Sequence, residues 1–274
     1  MRVFHFGLEK KLKPKFNPFG TTLKLFYNIT KYFDCNRSVT KSKTKEVVNT
    51  NDTNEIIQLY LEDGSQIELY PKSSIRYPNP FDSKKREFFL NGQAFFNVTK
   101  NPEKPFWVHT KKISTQVLGT SFMVSGFDGE QDAKVQVKTG KVSVYVQKDL
   151  ENFDKKDNSY LEGLVLTPNQ QAVYVSNENR LLKSIVDAPV QIKKIKKESF
   201  IFDETPLKEV YTILEKAYGI SFNYDEKKIE NCYLTANLEV ESLYEKLILI
   251  CRITHSTYEI VDAQVIIYSK GCNL

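Results

Sequence analysis

From residue 55 onward the chain alternates apolar and polar positions with a period of two. Ile57, Leu59 and Leu61 alternate with polar neighbours, Asp63-Gly64 breaks the run, and Ile67 and Leu69 resume it. Leu90-Asn91-Gly92 leads into Ala94, Phe96 and Val98, and Val135 and Val137 lead through Thr139-Gly140 into Val142, Val144 and Val146. A period of two lines one face of a strand. Asp-Gly or Asn-Gly between such runs marks a hairpin, because Gly and Asn accept the positive φ of a tight turn. The spacing therefore predicts three hairpins, followed by a β pair around Leu164–Leu166 and Val173–Val175. No helical period interrupts residues 55–147, while 148–160 read as a polar loop.

The period changes at Glu198. Phe200 to Phe202 reads as a strand, and Thr205 is placed to cap a helix with Pro206 in its first position, where a missing N–H costs nothing. Leu207, Val210, Leu214 and Tyr218 share one helical face, and Gly219 stops it. Ile220–Tyr224 then reads as a strand. A second helical face follows in Val240, Leu243, Leu247 and Ile250, after a strand at Tyr233–Leu238 and before strands at Ser256–Val261 and Gln264–Ser269. Two βαβ-like units make a small α/β domain. The expected organisation is a basic segment and linker at 1–54, an all-β domain at 55–180, a hinge-like linker at 181–197 and the α/β module at 198–270. The fold class is mainly β.

Charge narrows the function classes. The net charge is +5, but residues 1–50 hold eleven Lys/Arg and three Asp/Glu, so the rest is slightly acidic. The folded body lacks the clustered Lys and Arg that a nucleic-acid surface needs. No run of 18 apolar residues is present, Phe19 to Phe33 being broken by Lys24, Asn28 and Lys31. Met1–Leu12 has no apolar core of a signal peptide.

Candidate chemistry is sparse. Cys35, Cys232, Cys251 and Cys272 show no CxxC pair, so neither a metal nor another cofactor is expected; Cys251 reads as a core residue, and a pairing of Cys232 with Cys251 stays open. Among His5, His109 and His255, His109 is flanked by Lys111 and Lys112 rather than by a nucleophile or acid, and reads as a surface strand residue. Val117-Leu118-Gly119-Thr120 lacks the second Gly and the Lys of a phosphate loop, so Gly119 reads as a bend. Asp63, beside Glu62 and Glu68, reads as a turn former rather than half of a glycosidase pair. Trp107 with Phe106 could line a sugar-binding face, which leaves a cell-envelope carbohydrate-binding or adhesive protein as the second reading. No nucleophile–base grouping is visible, so no enzyme is expected.

Six stretches in order resemble the periplasmic domain of FecR-type regulators: LEDGSQIELYPKSSIRYP (Leu61–Pro78), REFFLNGQAFFNVTK (Arg86–Lys100), PFWVHT (Pro105–Thr110), VLGTSFMV (Val117–Val124), VQVKTGKVSVYV (Val135–Val146) and LTPNQQAVY (Leu166–Tyr174). TPLKEVYTILEKAYGISFNY (Thr205–Tyr224) is similar to the module that follows such domains, itself like the short N-terminal signalling domain of secretins and TonB-dependent receptors. The resemblance implies an anti-sigma transmembrane sensor, anchored in the inner membrane and facing the periplasm. Its β domain would be solenoid-like or sandwich-like, with Asp63, Gly64, Gly92, Leu118, Gly119, Thr120 and Gly140 as structural motif residues. The implied partner is the signalling domain of a TonB-dependent outer-membrane receptor, and a sigma factor is reached through a cytoplasmic part. Two departures stand out. Gly92-Gln93-Ala94 replaces the usual Gly-Glu-Ala, and the expected anti-sigma helices and membrane helix are absent, so the chain reads as truncated or as a soluble derivative. The last two strands alternate apolar and polar residues and could offer an edge to a partner strand, with Tyr258, Ile260, Val265 and Ile267 as its contacts.

Overall fold

The computed structural model describes residues 45–147, 163–193 and 197–272, and Thr44–Leu274 forms one compact unit. The expectations for His5, Cys35, the Phe19–Phe33 segment, the 148–160 loop and most of the Lys193–Lys197 run lie outside the described residues. The first part is a 13-stranded sheet, made of β1 (Lys45–Asn51), β2 (Ile57–Tyr60), β3 (Gln66–Leu69), β4 (Ser73–Asn79), β5 (Arg86–Asn97), β6 (Phe106–His109), β7 (Ile113–Val117), β8 (Ser121–Gly126), β9 (Ala133–Thr139), β10 (Val142–Val146), β11 (Leu164–Leu166), β12 (Gln170–Val175) and β13 (Arg180–Ile185). The sheet folds over on itself, sandwich-like and close to a barrel. One wall runs β1-β4-β5-β6-β7-β10-β11 and the other β2-β3-β5-β8-β9-β12-β13, with β5 common to both.

Alternation explains the core. Along β5 every second residue from Arg86 to Phe96 is buried. Phe88, Phe96, Phe106, Phe122 and the valines of β9 and β10 fill one apolar cluster between the walls. Phe88 stacks on Phe106 at 4.4 Å and Phe96 meets the same ring edge-on at 5.9 Å, geometries that aromatic quadrupoles favour.

Of the three expected hairpins, only the first forms as one. Ile57 faces Leu69 and Leu59 faces Ile67 across the Asp63-Gly64 turn. Asn91-Gly92 is not a turn: β5 runs through it and bends. Gly92 has φ +122°, and a Cβ there would lie 2.7 Å from the Ser73 Cα. The Ser73 hydroxyl accepts the Gln93 N–H at 2.8 Å, and the Gln93 amide donates to the Met123 sulfur, which the family's usual carboxylate could not do. Thr139-Gly140 is also not a hairpin. β9 pairs with β8 and β12, whereas β10 pairs with β7 and β11, so Gly140 carries the chain across from one wall to the other. Likewise β11 and β12 sit in opposite walls rather than pairing. Part of the polar run expected as linker forms the edge strand β1, in register with β4 from Lys45↔Asn79 to Asn51↔Ser73.

The second part holds β14 (Ile201–Pro206), α1 (Leu207–Tyr218), β15 (Phe222–Asn223), α2 (Glu226–Ile229), β16 (Tyr233–Asn237), α3 (Leu243–Ile253), β17 (Thr257–Val261) and β18 (Gln264–Tyr268). The first strands of the two βαβ-like units pair as β14-β16, and their last strands join β18 as β15-β18-β17. The predicted face of α1 is buried as expected. Gly219 closes the helix in the left-handed region, its N–H donating to Glu215 O. Thr205 does not cap it: Pro206 occupies that position without a side-chain bond, and the Thr205 hydroxyl turns back to Asp203 O. Helix α3 starts after Val240, at a capping box of Ser242 and Glu245, leaving Val240 87% exposed.

Two glycine substitutions separate backbone strain from collision. Gly92→Ala should lower stability to urea by about 3 kcal/mol, because the new methyl meets backbone atoms that cannot yield. Gly64→Ala, at φ +80° with its nearest neighbour Thr99 Oγ1 3.4 Å away, should cost only about 1 kcal/mol. Equal losses would overturn the role assigned to the Gly92–Ser73 approach.

Candidate partner-docking site

The terminal hairpin β17–β18 was expected to present Tyr258, Ile260, Val265 and Ile267, and the structure turns all four inward. Val265 and Ile267 are buried in the module's core, and Tyr258 and Ile260 pack against it. A strand's side chains alternate between faces, so the outward set is Thr257, Glu259 and Val261 with Gln264, Ile266 and Tyr268. Val261 is 52% and Tyr268 51% exposed. The Tyr268 hydroxyl donates to Glu259 at 3.2 Å, and the nearby carboxylate pushes the phenol's pKa up. β13 of the sheet lies near β17 without hydrogen-bonding to it as a strand partner.

The pairing left open in the sequence falls on a different cysteine. Cys232 bonds to Cys272, 40 residues away, and Cys251 is a buried free thiol. Burial in the apolar core raises the Cys251 pKa, opposed by a hydrogen bond from Ser256. The disulfide ties the chain just beyond β18 to the turn between α2 and β16. Nearness in sequence pointed to Cys251, but Cys251 lies on the inner face of α3.

His109 has partners that its sequence neighbours do not reveal. Its Nδ1 lies 2.7 Å from Ser114 Oγ and its Nε2 3.0 Å from Glu87 Oε1; Ser114 also bonds to Gln147. These residues come from β7 and β5, and the β6 register places Phe89 and Ser114 on either side of His109. Burial holds the His109 pKa below its usual 6.5, with Glu87 pulling the other way and Lys85 adding to the depression. A hydroxyl, an imidazole and a carboxylate in hydrogen-bond contact are the parts of an acyl-transfer site. Here Ser114 is 0% exposed, so a substrate carbonyl has no path to its oxygen, and the group knits three strands. Trp107 lies flat on His109 at 5.8 Å and against Tyr145, whereas Phe106 points into the core. The two aromatics face opposite ways and cannot form one sugar platform. Among the described residues no group of three or more His, Cys, Asp or Glu could hold a metal.

The motif residues serve the walls. Asp63 accepts from the Ser65 N–H and hydroxyl and from Arg86 Nη1 at 2.6 Å. Burial pushes its pKa up, but the bonds from Arg86 and Ser65 outweigh this and hold it below the ordinary 3.8. Arg86, almost wholly buried, was not singled out in the sequence; an Arg opening an alternating run, with its side chain in phase with the core, was the available signal. At the far edge, a Cβ on Gly119 would lie 2.5 Å from Lys100 Cα, and one on Gly140 would lie 2.2 Å from Thr120 Cγ2. The Thr120 and Leu118 carbonyls accept from Val98 and Asn101.

Two measurements follow. Reductant should lower the stability of the module by about 4 kcal/mol, as expected for opening a loop of this length. Cys272→Ser should reproduce the loss and abolish the response to reductant, whereas Cys251→Ser should leave that response intact. For His109, the folded pKa is depressed, so its contribution is complete above the unfolded value and is lost as pH falls through the folded one. Melting temperature should therefore decline between about pH 7 and pH 5, and His109→Gln should flatten that decline.

No helix among the described residues is long and apolar enough to cross a membrane. Two crystal structures of a candidate anti-sigma factor from Parabacteroides distasonis ATCC 8503 are similar to the chain. Both are 26% identical; they cover 83% and 82% of this chain and all of their own, with TM-scores of 0.46 and 0.45. No curated protein matches. Family profiles match in tandem: that described as FecR protein over residues 46–150, and that described as FecR, C-terminal, over residues 199–267. Together they cover more than half of the chain, and on them the chain belongs to the FecR family of regulators.

Proposed function

We propose that this chain is the receptor-facing part of a FecR-type signal relay. Its α/β module docks the signalling domain of a TonB-dependent outer-membrane receptor, and the docked state is passed on to control a sigma factor. Membership in the family supports a signalling, anti-sigma role. The observation that carries the docking reading is the outward face of β17–β18, where Val261, Ile266 and Tyr268 surround Glu259 on a surface that the module's own packing does not use. Docking by this face is favoured over strand addition to β17, because β13 of the sheet lies near that strand. The disulfide supports a periplasm-facing location, since such bonds persist in oxidising compartments. Control of the sigma factor is assigned to the cytoplasmic part that members of this family carry.

Titration calorimetry of the full chain against signalling domains of receptors from the same organism tests this reading. Selective binding to one or a few is expected. The double variant Val261→Ala/Tyr268→Ala should weaken binding at least about tenfold, with melting temperature little changed. Binding to none by the folded chain would overturn docking, and full binding by the double variant would move it off this face.

A further inference from the structure

The connector between the two parts was expected to be a solvated hinge over residues 181–197, and the hydrogen bonds contradict that. Residues 180–185 are the edge strand β13, and Ile185 already belongs to the module's core cluster. Residues 186–192 are then held from both sides, and the side chain at the centre is Asn169. It lies in the turn before β12 at φ +65°, a conformation Asn tolerates better than most residues, and is 3% exposed.

Each polar group of Asn169 is engaged. Its backbone N–H donates to Val137 O in β9, and its carbonyl accepts from Val186 N. Its side-chain amide donates to Val190 O at 2.7 Å and to Tyr218 O at 2.8 Å, and its side-chain oxygen accepts from Val190 N at 2.9 Å. Tyr218 is the last residue of α1, so its carbonyl is one of those a helix end leaves without a partner. Ile192 N satisfies a second such carbonyl, Ala217 O. Gly219 is required here twice over: it takes the left-handed conformation, and a Cβ would lie 2.5 Å from Ile192 Cδ1. On the other side of the connector the Tyr244 hydroxyl, from the first turn of α3, donates to Val186 O at 2.8 Å.

We propose that the folded sheet and the module form one rigid lever clasped by Asn169, so that a load on the module tilts the sheet as a body instead of bending residues 186–192. All of these bonds join uncharged groups, so the clasp is independent of ionic strength and of pH in the neutral range. It holds whether or not the module docks a receptor, and its test is separate from that reading.

The test uses spin labels on the full chain carrying Cys35→Ser, at Tyr60→Cys in the sheet and Val240→Cys in the module, which are 74% and 87% exposed. The inter-label distance distribution should be narrow. Asn169→Gly keeps the left-handed conformation and removes the amide, and should broaden the distribution. It should also speed hydrogen exchange at Val190 and Ile192 by at least about tenfold, as expected when a local cooperative unit opens. Tyr244→Phe removes a single hydroxyl and should shift the same readouts in the same direction by less, which keeps the proposal testable if Asn169→Gly fails to fold. A broad distribution in the unmodified chain would overturn the lever. A narrow distribution with unchanged exchange in Asn169→Gly, or in Tyr244→Phe if that is the variant that folds, would overturn the clasp.

Discussion

The folded sheet depends on the contact between Gly92 and Ser73. A straight strand of twelve residues would run about 40 Å, yet Arg86 at the start of β5 reaches the carbonyl of Thr99, just past its end, at 3.1 Å. Only a sharp bend brings those ends together, and it occurs where the chain lacks a Cβ and lies against the backbone of Ser73. Because β5 hydrogen-bonds within both walls, its bend sets how they face each other. Phe88 from one half and Phe96 from the other converge on Phe106 as a result. Arg86 then holds the closed geometry through Asp63, Thr99 and Lys104 O.

The same device recurs where the chain crosses between walls. Lys100, Gly119-Thr120 and Gly140 lie one upon another at a single edge, each glycine making room for its neighbour. A crossing turn needs backbones closer than side chains allow, and glycine supplies that space as well as the positive φ. Gly119, Thr120 and Gly140 are thus steric partners of one another. Their pattern in sequence is a packing pattern, distinct from the outward face on which docking is proposed.

How much of this was legible depends on what each residue signals. Most strand positions, the face of α1 and the face of α3 from Leu243 onward follow from periodicity, whereas β1, β13 and the exposed Val240 depart from it. The run through Asn91-Gly92 carries its own check. In a two-residue hairpin Leu90 would face residue 93, which would turn Ala94 and Phe96 outward, so an unbroken alternation through Asn-Gly already argued for a continuous strand. Gly140 offered no such check: Val137 and Val142 share a face whether the turn is a hairpin or a crossing. At the terminal hairpin the strands were legible and the phase was not, since Tyr258 and Tyr268 are equally amphipathic and only packing against α3 selects the inner set. The partners of His109, the pairing of Cys272 and the clasp at Asn169 join residues far apart in the chain, which local spacing cannot reveal.

These contacts define a path from the module's outer face to the β sheet. The β17–β18 hairpin is tied through Cys272 to Cys232, next to β16 and α2, so its end cannot lift away from the module. The module's core includes Ile185 from the final strand of the sheet, and the carbonyl end of α1 is closed by Asn169 and Ile192 rather than by water. A helix whose last carbonyls are satisfied by another part of the fold cannot rotate without leaving buried acceptors unpaired, at a cost of about 1–3 kcal/mol each. Bending at the connector would break several of these bonds at once, whereas tilting the whole body breaks none. On the proposed reading, a relay assembled in this way would transmit position, and its output would depend on where the far end of the sheet is carried.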